Sequence, residues 1–263
     1  MPPFDELLTL RTIAQGRYLA QVPDGWQQGR GAFGGLVVAL LVRAVSTANA
    51  EASRPLRTVS AELCGPVEPG DAELSVEPLR IGSGMSTLAV RLVQGGEVRA
   101  HAVAIFGRTR DPRISWQAAR TLPSWSDASV LPIGPPLGPV FAQHFEFRPT
   151  GPLPFGGGPA ALASGWIRPR DPGTARDAAF VAACADAYWP ALYARMSAPR
   201  PMATIAYTLE LLAPLDGLPV DAPLFVDIVA PAATDGYVVE DRSLYGVDGR
   251  LVALNRQTFV VIR

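Results

Sequence analysis

Two long stretches of the chain are apolar on nearly every side. The first, residues 34–50 (GGLVVALLVRAVSTANA), runs for about three turns almost without a polar position, and a helix of that pattern is enclosed on most faces. The second, residues 175–196 (ARDAAFVAACADAYWPALYARM), is likewise Ala-rich and apolar, with one acid, Asp186, in its middle and Pro190 just after. Four runs with partial alternation, punctuated by Gly and Pro, follow each helix and read as strands. They are TVSAEL, AELSVEPLRI, STLAVRLVQ and VRAHAVAIFGR after the first, and TIAYTLELL, PLFVDIVAP, GYVVEDRSLYG and LVALNRQTFVVIR after the second. One more strand precedes each helix, RYLAQVPDGW at 17–26 and SGWIRP at 164–169.

The same order of elements therefore occurs twice, which prompts a search for a repeat. Arg54-Pro-Leu-Arg-Thr58-Val matches Arg200-Pro-Met-Ala-Thr204-Ile, and Gly96-Glu-Val-Arg-Ala100 matches Gly249-Arg-Leu-Val-Ala253. In that second register Ala104-Ile-Phe106 faces Gln257-Thr-Phe259. The chain reads as two copies of a strand, a buried helix and a meandering antiparallel sheet. A sheet wrapped around one helix explains why that helix has no polar face. The expected class is α+β, with units at 1–110 and 141–263 joined by a Pro- and Gly-rich linker at 111–140.

Composition narrows the function. With 263 residues, 48% of them hydrophobic, the chain can bury a sizeable core, and its net charge of −1 offers no basic face for nucleic acid or an anionic membrane. The longest apolar stretch, Leu36 to Val42, is too short to span a bilayer, and Asp5 and Glu6 do not suit a signal peptide. Cys64 and Cys184 have no partner at metal or redox spacing, so buried free thiols and a cytoplasmic location are expected.

GRGAFG at 29–34 fits the dinucleotide fingerprint G-x-G-x-x-G. The fingerprint needs strands alternating with helices and an acid closing the second strand about 20 residues on. Here strands run consecutively, and the nearest acid, Glu51, falls at the end of the helix. No Gly-Lys-Ser/Thr follows, which excludes a P-loop. A nucleotide-dependent oxidoreductase is the weakest of three readings.

Several pieces, in order, resemble the acyl-CoA thioesterase II family and its thioesterase-like relatives. They are Phe33-Gly34-Gly35, Leu79-Arg80-Ile81-Gly82-Ser83 with Ser86-Thr87, Ala185-Asp186, Ala203-Thr204-Ile205, Asp248-Gly249-Arg250-Leu251-Val252-Ala253, and Gln257 with Arg263. The resemblance implies a double hotdog fold: two antiparallel sheets, each wrapped around a long buried helix, related by a pseudo-twofold. It implies hydrolysis of an acyl-CoA or acyl-carrier thioester in lipid metabolism, without cofactor or metal, and leaves room for a homodimer. It further implies that Asp186, Thr204 and Gln257 hold the attacking water. The chain departs from the family at Leu36, often Gln, and at Ala206-Tyr207, often Asp-His.

The residues support this chemistry on their own terms. Asp186 lies among Ala, Cys, Tyr and Trp; an acid there is paired, with Arg195 a candidate, or functional. Burial would lift its pKa toward that of a useful general base. Gln257 is an amide in an apolar strand and needs partners. Gly34 and Gly35 begin a helix, where free amides and the positive dipole end suit a developing oxyanion. No G-x-S-x-G or metal-binding cluster is present, and no His stands next to Asp186 in sequence. The alternative from another class is a non-catalytic acyl- or CoA-binding hotdog protein.

Overall fold

The computed structural model describes residues 2–49, 51, 53–117, 120–215 and 217–262. Ala50, at the end of the first predicted helix, and Arg263 lie outside the described residues. A 3-10 turn, Glu6–Leu8, leads into β1 (Leu10–Ala14) and β2 (Arg17–Val22). A two-rung hairpin, β3 (Gln27–Gln28) with β4 (Gly31–Ala32), precedes α1 (Gly34–Ala48). The GRGAFG spelling therefore folds as a hairpin turn, with Gly29 at φ 70°, and not as a strand-to-helix phosphate loop. Then come β5 (Leu56–Leu63), β6 (Gly70–Ile81), β7 (Met85–Gln94) and β8 (Glu97–Gly107). After a 3-10 turn at Val140–His144, the second half holds β9 (Phe145–Pro149), β10 (Leu162–Pro169) and α2 (Ala178–Ala187). A third 3-10 turn, Ala191–Arg195, precedes β11 (Met202–Leu211), β12 (Leu224–Thr234), β13 (Tyr237–Tyr245) and β14 (Leu251–Val261).

The twelve longer strands form one sheet, in the order β1-β2-β6-β7-β8-β5-β11-β14-β13-β12-β10-β9. This corrects the expectation of two sheets. β5 and β11 pair directly and antiparallel, from Ala206 opposite Glu62 to Glu210 opposite Thr58. Each would otherwise be an open inner edge with unpaired backbone groups, and joining them removes both edges.

α2 is also shorter than its apolar pattern predicts, ending at Ala187 instead of running to 196. Tyr188 is already extended, at φ −74° and ψ 146°. Pro190 explains the stop, because a proline disfavours helical backbone in the residue before it. A polar consequence follows: the last turn of α2, with Asp186, has open carbonyls that side chains must satisfy.

The main apolar core holds both helices and the inward side chains of both half-sheets. α1 and α2 run antiparallel. Gly35, at the start of α1, meets Asp186 near the end of α2. At the other end Arg43 pairs at 2.8 Å with Asp177, whose side chain caps the N-terminus of α2. The glycine is required by this approach. A Cβ on Gly35 would stand 2.8 Å from the Ala183 carbonyl oxygen and 2.9 Å from Asp186 Cβ. Gly35→Ala is therefore expected to lower the unfolding free energy by about 1–3 kcal/mol, as overpacking does; a urea titration with an unchanged m-value measures this.

Candidate active site

Asp186, Thr204 and Gln257 come together where the start of α1 meets the end of α2. The Gly35 N–H donates to Asp186 Oδ2 at 2.6 Å. Thr204 Oγ1 lies 3.5 Å from Asp186 Oδ1 and 3.5 Å from Gln257 Oε1. Its single hydrogen can serve only one of them. Asp186 and Thr204 keep partial solvent access, while Gln257 is buried. Gly34 is equally close: a Cβ there would stand 2.9 Å from Asp186 Oδ2.

The two helix-opening glycines, expected to act alike, differ. The amide of Gly35 serves the Asp186 carboxylate. The amide of Gly34 meets no protein acceptor among the described residues.

Burial raises the Asp186 carboxyl above its ordinary value of 3.8, against the opposing charge of Arg242 and the Gly35 amide. Arg242, and not Arg195, is therefore the cation that acts on this acid.

Arg242 belongs to a buried polar group of which only Gln257 was expected from the sequence. Of the eight buried polar or charged side chains among the described residues, four lie on β13 and β14: Glu240, Arg242, Asn255 and Gln257. The ladder sets Glu240 opposite Gln257 and Arg242 opposite Asn255. Arg242 Nη1 donates to the carbonyls of Ala185 at 2.7 Å and Tyr188 at 3.1 Å, closing the open end of α2 around Asp186. Glu240 Oε1 accepts the Ala191 N–H at 2.8 Å, just past Pro190. Burial pushes the Glu240 carboxyl upward, opposed by Arg242. The signal was available as i, i+2 spacing on each strand. It was masked on β13 by the run Glu240-Asp241-Arg242, which looks like a solvated stretch.

Matching the ladders of the two halves isolates what is special to the second. Leu56 pairs with Phe106, and the bulge that follows it corresponds to the bulge after Thr204, which pairs with Phe259. Thr204 thus corresponds to Leu56, not to Thr58 as the R-P-x-x-T spelling suggested; the ladders shift that match by two residues. Leu88, Val90, Ala102 and Ala104 occupy the places of Glu240, Arg242, Asn255 and Gln257. All five first-half positions are buried and apolar. Polar replacement at five matched core positions is costly unless each group is used.

Other groups stand apart from this centre. Cys184 is buried, its thiol pushed up to about 12 by burial. Cys64, expected to be buried, is exposed: it follows β5 out of phase with the inward Val59 and Ala61. His144 interacts with the Gly25 carbonyl at 2.8 Å and stacks on Trp26, while His101 faces Glu62. Neither makes a hydrogen bond to Asp186. Two surface clefts, of about 440 and 550 Å³, lie beside Arg43 and Thr174 and beside Trp125 and Trp166, and neither borders Asp186.

One long antiparallel sheet with two buried helices is the architecture of hotdog proteins. A hotdog-fold protein of Alicyclobacillus acidocaldarius superposes with a TM-score of 0.87 at 22% identity, covering 99% of this chain and 98% of that one. An acyl-CoA thioesterase II of Mycobacterium marinum superposes at 0.77 with 20% identity, covering 98% and 97%. An uncharacterized protein of Mycobacterium tuberculosis is 29% identical over 272 aligned positions, covering 92% of this chain and 89% of that protein. The family model for the acyl-CoA thioesterase N-terminal domain matches residues 22–107, and that for the C-terminal domain matches 117–261. The chain belongs to the acyl-CoA thioesterase family and is a thioester hydrolase. No helix among the described residues is long and apolar enough to cross a membrane.

Proposed function

We propose that this thioesterase cleaves an acyl-CoA or acyl-carrier thioester with a water held by Asp186, Thr204 and Gln257. The observation that carries the reading is the one-sided polar set: the second half places a carboxylate, a hydroxyl and an amide together where the first half is apolar. The water oxygen attacks the thioester carbonyl carbon, and Asp186 takes the water proton. The carbonyl electrons move to oxygen, where the free Gly34 amide at the positive end of α1 stabilises the charge. Collapse of the tetrahedral adduct breaks the C–S bond, and the proton on Asp186 passes to the departing sulfur. The products are a carboxylic acid and a thiol. The Gly35 amide holds the Asp186 carboxylate in position.

The matching strand order of the two halves supports a pseudo-twofold relation between units at 1–110 and 141–263, joined by 111–140. One half then supplies the oxyanion amide and the other the water site. The absence of a His contact to Asp186 favours hydrolysis over hotdog-type hydration chemistry.

Thiol release from acyl-CoAs of graded chain length tests the activity. The pH profile of kcat/KM tests the base. Because burial raises the Asp186 pKa, the acid limb is expected above the ordinary 3.8, with activity rising as pH rises through it. A limb at or below 3.8 would remove Asp186 as the base.

A further inference from the structure

We infer that Asn255 is a positioning residue that fixes the Gln257 amide so that its carbonyl oxygen faces the Thr204 hydroxyl of the water site. The inference rests on the reading of that site given above.

Thr208, Asn255, Gln257 and Thr204 form a chain of donors and acceptors. Asn255 Nδ2 donates to the Thr208 carbonyl oxygen at 2.6 Å. A carbonyl only accepts, so the NH2 end of Asn255 must point there and its Oδ1 must point away. Gln257 Nε2 donates to that Oδ1 at 2.9 Å. Gln257 Oε1 is thereby left facing Thr204 Oγ1, which also lies 3.5 Å from Asp186 Oδ1. With the Gln257 amide reversed, its Oε1 would face Asn255 Oδ1, acceptor against acceptor, in a core where both residues are at most 2% exposed. In such surroundings an unmade hydrogen bond is expensive, so one orientation is enforced. Arg242, opposite Asn255 on β13, is turned to the α2 carbonyls and does not compete for Oδ1.

The functional consequence is directional. A water between the Asp186 carboxylate and Gln257 Oε1 meets two acceptors, so it donates both hydrogens to them and turns a lone pair toward the substrate carbonyl. A reversed amide would donate to the water and occupy that lone pair. Asn255 touches neither water nor substrate; it acts through Gln257. Its counterpart in the first half is Ala102, beside Ala104 in the place of Gln257, so amide and positioning residue occur together or not at all.

The test is a double-mutant cycle on kcat and KM for acyl-CoA hydrolysis, with thermal melts to confirm folding. Asn255→Leu is expected to lower kcat about 10-fold, a loss worth about 1.4 kcal/mol, with KM unchanged. In a Gln257→Ala background it is expected to lower kcat no further. Asn255→Ser, which shortens the group but keeps it polar, reports in the same way if the leucine variant does not fold. The same loss in both backgrounds, or no loss in the native one, overturns the inference. A kcat loss in Gln257→Ala with none in Asn255→Leu overturns this inference alone. Full activity of Gln257→Ala overturns the water-site reading and this inference with it.

Discussion

Asp186→Asn is expected to lower kcat by about 10³-fold while leaving the fold intact, within the range that a general base contributes. The replacement is nearly isosteric, and the asparagine carbonyl can still accept the Gly35 N–H that Oδ2 now accepts at 2.6 Å. What disappears is the capacity to take a proton. Stability should not fall with activity. Burial raises the folded-state pKa of Asp186 above 3.8, so the folded carboxyl holds its proton more tightly than the unfolded one. Its contribution to stability is therefore greatest below pH 3.8, declines as pH rises through the raised value, and stays at its lowest above it. At neutral pH a neutral amide avoids that penalty, so the melting temperature should stay level or rise. Thiol release and a thermal melt on one preparation separate the two effects. A parallel collapse of activity and melting temperature would make Asp186 a structural acid.

The largest expected effect on stability is that of Arg242→Leu, a loss of about 3–5 kcal/mol in urea titration. Arg242 and Glu240 are 2% and 0% exposed and pair at 3.5 Å. Removing the cation leaves Glu240 charged or forced to protonate in the core. It also leaves the carbonyls of Ala185 and Tyr188 without their 2.7 and 3.1 Å donor. The Glu240→Leu/Arg242→Leu double variant should recover part of the loss, since an apolar pair replaces a buried ion pair at little cost. Leu88 and Val90 show such packing at the matched first-half positions. The double variant should still be slow, because the end of α2 that carries Asp186 loses its support. Equal stability of Arg242→Leu and the parent would contradict this account of the pair.

Much of the fold was legible in the chain because its physics is local. Apolar residues all round α1, and alternation along the strands, mark a helix covered by a sheet. What was not legible depends on contacts between distant segments. β5 and β11 each look like an ordinary edge, and nothing in either announces that they pair with each other. The helix stop at Tyr188 was foreshadowed by Pro190. The site was partly readable. Asp186 stands out as a lone acid in an apolar helix, and the family resemblance pointed to Thr204 and Gln257. The division of labour between Gly34 and Gly35 depends on how closely α2 approaches α1. Glu240, Arg242 and Asn255 do not stand out in the sequence because their neighbours Asp241, Ser243 and Arg256 make both strands look solvated, whereas the ladder turns alternate residues into the core.

A single turnover with enzyme in excess of acyl-CoA, run in water enriched in oxygen-18, tests the central claim most directly. If a water attacks the carbonyl while Asp186 only accepts its proton, the released carboxylic acid carries one labelled oxygen and the peptide containing Asp186 carries none. Label in the Asp186 carboxyl would show that the side chain itself had been acylated and would contradict the account.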